Sequence, residues 1–270
     1  MEAGISSFAF GWAAQLGRPP MDELGVIEFA RRHGVRVVQL GDNLPVHQMS
    51  SERRAALLRA AKAAGIRLEL GARGLTGPHL NTYLELCREL DSSLLRFVVD
   101  SAGYEPSVFE LADLLANAAP KLKAAQVTLG IENHDRFPAA ALFAAVKGLE
   151  PHVGICLDTA NSFGAGEGLV HVADLLVPLT VNLHVKDVTI RRFPHQQGFV
   201  IQGCRLGKGQ LPIRELLARM RSRGYRGSVI LESWCPPGAD EDATVAGERA
   251  AVEASIETLK EWLQLPATTT

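Results

Sequence analysis

Several features that mark other classes of protein are missing from this sequence of 270 residues. No run of about 18 apolar residues and no signal peptide is present. The four cysteines show no CxxC spacing of the kind found in metal and redox motifs: Cys87, Cys156, Cys204 and Cys235. We therefore expect a cytoplasmic protein with reduced thiols and no membrane partner. Cys87 and Cys156 are expected to be small buried side chains.

The sequence also lacks an excess of charge of either sign. Its 28 basic and 30 acidic residues give a formal net charge of −2 and a pI near 6.5. Such a balance provides no field that would attract nucleic acid or an anionic membrane. No GxGxxG motif follows the first predicted strand, and GxxxxGK[ST] is absent throughout. These absences disfavour nucleotide-binding folds and leave small molecules as the expected partners.

The composition and length favour one large domain. Hydrophobic residues make up 47% and charged residues 21% of the chain, which is ordinary for a globular enzyme. No Pro/Gly/Ser-rich linker divides the sequence, and single α/β barrels run to about 250 residues. We predict a barrel domain over residues 1–265 and a disordered tail over 266–270. Oligomeric state is not encoded in any obvious motif, and a homodimer is a reasonable expectation.

Short apolar segments alternate with longer segments of helical periodicity along the chain, which is typical of a parallel sheet with crossover helices. The predicted strands are Gly4–Phe10, Val35–Leu40, Arg67–Gly71, Leu94–Val99, Thr128–Asn133, Val153–Asp158, Val181–Val185 and Ser228–Glu232. The predicted helices include Met21–Arg32, Ser51–Ala64, Leu80–Leu90, Ser107–Ala125, Leu211–Arg223 and Thr244–Leu263. Eight strand–helix units predict an α/β fold of the (β/α)8, or TIM barrel, type.

Four successive strands end in a residue that can bind a metal. These residues are Glu132, Asp158, His184 and Glu232. The intervals from Glu132 to Asp158 and from Asp158 to His184 are both 26 residues, which predicts one height in the barrel. A lone acidic residue after a strand more often caps a helix, and a lone histidine is more often part of the core. Four together at the carboxyl ends, where barrel active sites lie, favour a shared metal site.

Three carboxylates and one imidazole offer oxygen and nitrogen ligands that suit Mn²⁺, Mg²⁺, Co²⁺ or Zn²⁺. No thiolate is among them, which argues against a structural zinc site and leads us to favour Mn²⁺. A cation chelated by a carbonyl and an adjacent hydroxyl stabilises an enediolate, so a neighbouring carbon can lose a proton at neutral pH. The site therefore suits proton transfer on a hydroxyketone.

Other polar and aromatic residues near these strand ends are candidates for binding substrate. Lys186 lies two residues after His184, so strand alternation predicts that it points into the same mouth, although a solvent-exposed loop lysine is the alternative. His134 has the same relation to Glu132, and Trp234 to Glu232; a structural hydrogen bond and core packing are their alternatives. The predicted loop at residues 189–210 is basic, and Arg205 within it is a candidate for binding a carboxylate or phosphate.

The strand-end motifs GIENHD, CLDTAN, LHVKD and ILESW resemble those of the xylose isomerase-like superfamily, which contains sugar isomerases, epimerases, related lyases and an endonuclease branch. The similarity covers nearly the whole chain. It implies a TIM barrel and the Glu, Asp, His, Glu metal set. In the ketose 3-epimerases, which the metal motif most resembles, the two glutamates are also the acid/base groups. The resemblance assigns those roles to Glu132 and Glu232.

One position differs from the epimerase pattern. Those enzymes usually have a substrate-contacting histidine three residues after the metal aspartate, whereas this chain has Asn161, which is the substrate-binding candidate at that position. We expect a metal-dependent isomerase or epimerase of a ketose or keto-sugar. The main alternative is a lyase on the same site, a decarboxylase or dehydratase of an oxidised sugar acid such as a 3-oxo-aldonate. A non-catalytic sugar sensor is a third possibility, and DNA repair by the endonuclease branch is disfavoured because neither its His-rich cluster nor a basic face is present.

Overall fold

The computed structural model describes residues 1–18 and 22–264, so the predicted tail at 266–270 lies outside the described residues. The barrel strands, in chain order, are β1 Glu2–Ser6, β2 Val37–Leu40, β3 Arg67–Arg73, β4 Leu94–Val98, β5 Thr128–Glu132, β6 Val153–Asp158, β7 Thr180–Val185 and β10 Ser228–Leu231. They close a parallel barrel in which β1 pairs with both β2 and β10. The predicted TIM barrel is confirmed.

The α-helices surround the barrel. They are α1 Gly11–Gln15, α2 Glu23–Arg32, α3 Ser51–Ala64, α4 Gly77–Glu89, α5 Val108–Ala125, α6 Ala139–Val146, α7 Leu169–Leu176, α8 Ile213–Ser222 and α9 Glu241–Gln264. Most of the boundaries are fixed by local chemistry. Ser107 caps α5 through a reciprocal pair of hydrogen bonds with Glu110, and Gly65 ends α3 with a φ of 66°, in the left-handed region. No helix in the described part of the chain is long and apolar enough to cross a membrane.

The first strand is shorter than its sequence pattern predicts. It ends at Ser6, and residues Ser7–Phe10 form a 3-10 turn instead of continuing to Phe10. The Ser6 hydroxyl accepts a hydrogen bond from Phe8 N, which caps this turn. Apolar residues alone could not distinguish a buried strand from a buried turn. The turn brings Phe8 towards the barrel mouth.

The segment predicted as a loop at residues 189–210 forms an antiparallel hairpin instead. Strands β8 Asp187–Arg192 and β9 Phe199–Cys204 pair along their full length. The buried Asp187 carboxylate accepts hydrogen bonds from Gly207 N and Gly209 N and thereby fixes the chain that leaves the hairpin. The alternating Val, Ile and Phe residues of this segment are typical of strands, a signal that its charges obscured.

Gly203 is the position where the hairpin meets the rest of the mouth. A Cβ atom built on Gly203 would lie 1.8 Å from the carbonyl oxygen of Trp234 and 2.2 Å from its Cβ. Strand β9 and the segment after β10 therefore approach more closely than any residue other than glycine allows. The hairpin and the chain after β10 are held together through this contact.

We predict that Gly203→Ala destabilises the protein by about 1–3 kcal/mol, because the added methyl group must displace backbone rather than a flexible side chain. Gly247→Ala in α9 is the control, since a Cβ there meets nothing within 4 Å and alanine favours a helix. Urea unfolding of both variants measures the difference. Equal stability of the two variants would contradict the close contact.

Candidate metal centre

The four predicted ligands meet at the carboxyl ends of four neighbouring strands. Glu132 ends β5, Asp158 ends β6, His184 lies on β7 and Glu232 follows β10 directly. Their exposed fractions are all 5% or less. One donor atom of each lies within 4.8 Å of the donor atoms of the other three. We call these four residues the ligand cluster.

Equal sequence intervals do not translate into equal register in every case. Asp158 lies opposite His184, as the interval of 26 residues predicts. Glu132, however, lies opposite Cys156 rather than Asp158, so its 26-residue interval does not place it at the same height as Asp158. Strands of a closed barrel are staggered, and the glutamate side chain is longer than that of aspartate. The side chains therefore converge although the Cα atoms are not level.

Four atoms without a well-aligned hydrogen bond point into the cluster. They are Glu132 Oε2, Asp158 Oδ2, His184 Nδ1 and Glu232 Oε1, all buried, although Arg96 contacts Glu132 Oε2 and Lys186 Nζ lies 3.0 Å from Asp158 Oδ2. Buried acceptors that lack hydrogen bonds are costly, and three of these belong to carboxylates, whose charge the two cations offset only in part. A divalent cation would satisfy all four atoms at once. This donor set of three oxygens and one nitrogen fits the predicted cation.

The second oxygen of each carboxylate is held by a neighbour. Asn161 Nδ2 donates to Glu132 Oε1 at 2.6 Å, and the backbone N–H groups of Ala160 and Asn161 donate to Asp158 Oδ1, both at 2.8 Å. Lys186 Nζ donates to Glu232 Oε2 at 2.8 Å. Each carboxylate is therefore fixed in rotation, with its other oxygen directed at the cluster.

Cys156 also lies beside Glu132 and His184. Its Sγ donates to Asn182 Oδ1 at 3.2 Å, and burial raises the pKa of the thiol well above its ordinary value. A thiol that stays protonated is a poor ligand. The donor set therefore remains the one without sulfur.

Lys186 is buried beside the ligand cluster, and its side chain points into the mouth. Its Nζ lies 3.0 Å from Asp158 Oδ2 and 4.7 Å from the ring centroid of Trp234. Burial lowers the pKa of Lys186, but the charges of Asp158 and Glu232 outweigh that effect and raise it above its ordinary value. The amine is therefore an ammonium at neutral pH.

Arg96 is a buried cation of the site that the sequence pattern did not reveal. It lies in the middle of β4, opposite Gly71 of β3, where an added Cβ would lie 3.6 Å from Arg96 Cδ. Its guanidinium contacts Glu132 and lies 3.6 Å from Glu232 Oε1. Desolvation lowers the pKa of Arg96, but the charges of these carboxylates outweigh that effect and raise the pKa above its ordinary value. The guanidinium therefore stays charged. The sequence does contain a sign of this role, because Arg96 is a charged residue inside the apolar strand LLRFV and a buried charge needs partners.

A cavity of about 690 Å³ opens above the ligand cluster. Its aromatic walls are Phe8, Trp12 and Trp234. Four of the predicted substrate-binding residues line it: His134, Asn161, Lys186 and Trp234. Two arginines also line it, Arg73 and Arg96. The volume suits a small sugar-sized molecule.

Arg205 is the predicted substrate-binding residue that the structure does not bring to this cavity. It is exposed and follows β9, on the segment that Asp187 fixes outside the mouth. The other basic residues of the hairpin are occupied locally: Arg191 donates to Gln202 at 2.6 Å, and Arg192 lies over the ring of Phe199. The arginines that line the cavity instead lie on β3 and β4, and neither was predicted from the sequence to bind substrate.

We predict that the purified protein binds one divalent ion per chain, and that Asp158→Ala and His184→Ala abolish this binding. A chelator should lower the melting temperature of the wild type, because a ligand at 100 times its Kd stabilises the folded state by about 2.7 kcal/mol. Titration calorimetry with Mn²⁺ measures the stoichiometry, and His171→Asn, which changes an exposed histidine, is the control. Unaltered binding in both alanine variants would contradict the assignment.

Comparison with known proteins agrees with this fold. The chain is 33% identical over 258 residues to a 3-oxo-isoapionate decarboxylase of Pectobacterium atrosepticum, covering 95% of this chain and 94% of that one. A crystal structure of D-psicose 3-epimerase with D-tagatose from Clostridium cellulolyticum H10 has a TM-score of 0.69 at 17% identity, covering 98% and 100% of the two chains. A xylose isomerase-like TIM barrel protein from Mycobacterium smegmatis in complex with magnesium has a TM-score of 0.69 at 12% identity, covering 96% and 97%. The family model described as xylose isomerase-like TIM barrel matches residues 27–262, and the chain belongs to that family.

Proposed function

We propose that this enzyme is a divalent-metal-dependent decarboxylase of a 3-oxo sugar acid. The sequence motifs favoured an isomerase or epimerase, and a lyase was the main alternative. Two observations reverse that order. One is the full-length similarity to a 3-oxo-isoapionate decarboxylase, and the other, which carries the proposal, is the charge balance of the site.

The carboxylates of the ligand cluster and the cations that contact them do not balance in charge. Among the described residues, the carboxylates of Glu132, Asp158 and Glu232 make ion pairs with Arg96 and Lys186, which leaves one net negative charge. A divalent cation changes this balance to one net positive charge. Net charge in a buried site is costly, and a substrate with a single carboxylate would neutralise it. A neutral ketose would not.

Two further acidic groups near the cavity do not alter this balance. Asp42 lies 3.3 Å from Arg73 Nε and 3.4 Å from Arg96 Nη1, and adding Asp42 and Arg73 together to the count leaves the net charge unchanged. Glu248, on the outer wall, accepts hydrogen bonds from the backbone N–H groups of Trp12 and Ala13. Burial raises the pKa of Glu248 and these two hydrogen bonds lower it, and among the described residues its carboxylate makes no ion pair with the ligand cluster, Arg96 or Lys186.

The proposed reaction breaks the bond between the carboxylate carbon and C2 of a 2-hydroxy-3-oxo acid. The carboxylate leaves as CO2, and the bonding electrons move into an enediolate whose negative charge lies on the C3 oxygen. A proton then returns to C2 and gives a neutral hydroxyketone. Bound Mn²⁺, or alternatively Mg²⁺, Co²⁺ or Zn²⁺, would supply Lewis-acid stabilisation of negative charge on substrate oxygens.

Residues of the cavity fit the two halves of this reaction. The Lys186 ammonium, fixed by Glu232 and Asp158, is placed to stabilise developing negative charge. The aromatic walls, Phe8, Trp12 and Trp234, favour conversion of a charged carboxylate into neutral CO2, since the product needs no solvation. We assign the acid/base roles to Glu132 and Glu232.

An isomerase or epimerase remains the second candidate, because two glutamates reach the same cavity from β5 and β10. Two opposed bases of that kind suit removal of a proton from one face and its return to the other. The fixed second oxygens of both glutamates, and Asn161 in place of the usual histidine, fit this chemistry less well.

We predict that Glu132→Gln and Glu232→Gln, assayed at saturating Mn²⁺, each continue to release CO2 from a 3-oxo sugar acid but place the C2 proton without stereocontrol. Breaking the C–C bond needs no base, whereas an epimerase would lose about 10²- to 10⁴-fold in turnover. CO2 release and deuterium incorporation in D2O distinguish the two. Wild-type exchange and inversion of ketoses with no CO2 from any 3-oxo acid would overturn the decarboxylase.

We further predict that Arg96→Gln lowers kcat/KM for the acidic substrate by about 10²-fold, because truncating one partner of a buried charge pair costs about 2–5 kcal/mol. Arg205→Gln, in the exposed segment outside the cavity, should leave kcat/KM unchanged. Steady-state kinetics of both variants compare Arg96, which lines the cavity, with Arg205, which the sequence suggested as a substrate-binding residue. A large loss in Arg205→Gln alone would contradict the assignment to Arg96.

A further inference from the structure

A connected group of polar side chains lies inside the barrel beneath the ligand cluster. Gln39 on β2, Glu69 on β3, Asn182 on β7 and Ser228 on β10 are all 2% exposed or less. We propose that Gln39 and Glu69 are positioning residues that hold His184 in the single tautomer able to bind a cation. The proposal rests on the metal centre and is independent of the reaction assigned to it.

The orientation of Glu69 is fixed first. Arg67 Nη1 donates to Glu69 Oε1 at 2.5 Å, and Ser228 Oγ donates to the same oxygen at 2.8 Å. The other oxygen, Oε2, faces Gln39. Asn182 Nδ2 also donates to this oxygen, at 3.4 Å. An ionised carboxylate only accepts hydrogen bonds, so the atom of Gln39 that faces Oε2 must be a donor.

Gln39 can meet that requirement in one orientation of its amide. Its Nε2 lies 3.1 Å from Glu69 Oε2 and 3.0 Å from Asn182 Oδ1, so both amide hydrogens are directed at acceptors. The amide oxygen consequently faces His184 Nε2 at 2.7 Å. Turning the amide over would place its oxygen against the Glu69 carboxylate, which is repulsive.

The amide oxygen of Gln39 in turn decides which nitrogen of His184 bears hydrogen. An oxygen can only accept, so Nε2 must carry a hydrogen, and Nδ1 is the nitrogen that can offer a lone pair to a cation. Nδ1 faces the cluster, 3.2 Å from Glu232 Oε1 and 3.6 Å from Glu132 Oε2. In the neutral ring these carboxylates would by themselves attract the hydrogen onto Nδ1. The chain of hydrogen bonds from Glu69 opposes them and keeps that hydrogen on Nε2.

The sharpest test is Glu69→Gln, which keeps the shape of the side chain and touches no ligand. A carboxamide can donate as well as accept, so Gln39 is free to turn and His184 gains access to both tautomers. We expect the Kd for Mn²⁺ to rise about 10- to 100-fold. In metal-free protein labelled with ¹⁵N-histidine, at a pH at which the His184 imidazole is neutral, long-range ¹H–¹⁵N spectra should show only the Nε2–H form of His184 in the wild type and both forms in the variant.

Glu23→Gln is the matched control. Glu23 is an equally buried glutamate paired with an arginine, Arg53 at 2.8 Å, but it lies on α2, outside the barrel interior. Its substitution should change Mn²⁺ affinity by less than about twofold. If Glu69→Gln does not fold, Gln39→Met, which removes the acceptor for His184, replaces it in both measurements.

Three results would overturn the proposal. The first is an Nδ1–H tautomer in metal-free wild type, which needs no variant at all. The second is unchanged affinity and tautomer in Glu69→Gln. The third is lost affinity with an unchanged tautomer, which would show only general loosening. A wild type that binds no metal would instead refute the metal centre and the proposed function together.

Discussion

The repulsion among three carboxylates gathered at one end of the barrel is the constraint on which the rest of the site depends. Glu132, Asp158 and Glu232 are withdrawn from water, and each directs at the same small volume an oxygen that has no well-aligned hydrogen bond. Like charges so placed are tolerated in a folded protein only if cations compensate them. Lys186 and Arg96 compensate in part, and a divalent ion would supply the remainder.

Much of the surrounding structure serves to hold this arrangement. Gly71 makes space for Arg96, and Asn161 with the backbone beyond Asp158 fixes the carboxylates of Glu132 and Asp158. Beneath the cluster, the chain of hydrogen bonds through Gln39 fixes His184. The direction in which these side chains point is therefore set by groups outside the ligand cluster.

The barrel and the ligand cluster could be predicted from sequence because both follow from local patterns. Buried parallel strands are short and apolar, and a charged residue at the end of such a strand, as in Glu132 or Asp158, is conspicuous. Arg96, Gln39 and Glu69 could not be predicted from the sequence, because they lie in the middle of strands and their partners come from distant parts of the chain. The β8–β9 hairpin could not be predicted because its charges resemble those of a loop, and Arg205, which follows this hairpin, does not line the cavity.

The most direct test of the metal centre is an anomalous difference map from a crystal of the wild type grown with Mn²⁺. We expect a single strong peak bounded by Glu132 Oε2, Asp158 Oδ2, His184 Nδ1 and Glu232 Oε1, the four atoms left without hydrogen-bond partners. A map with no peak there, or with the ion bound elsewhere in the chain, would contradict the assignment of these residues as ligands.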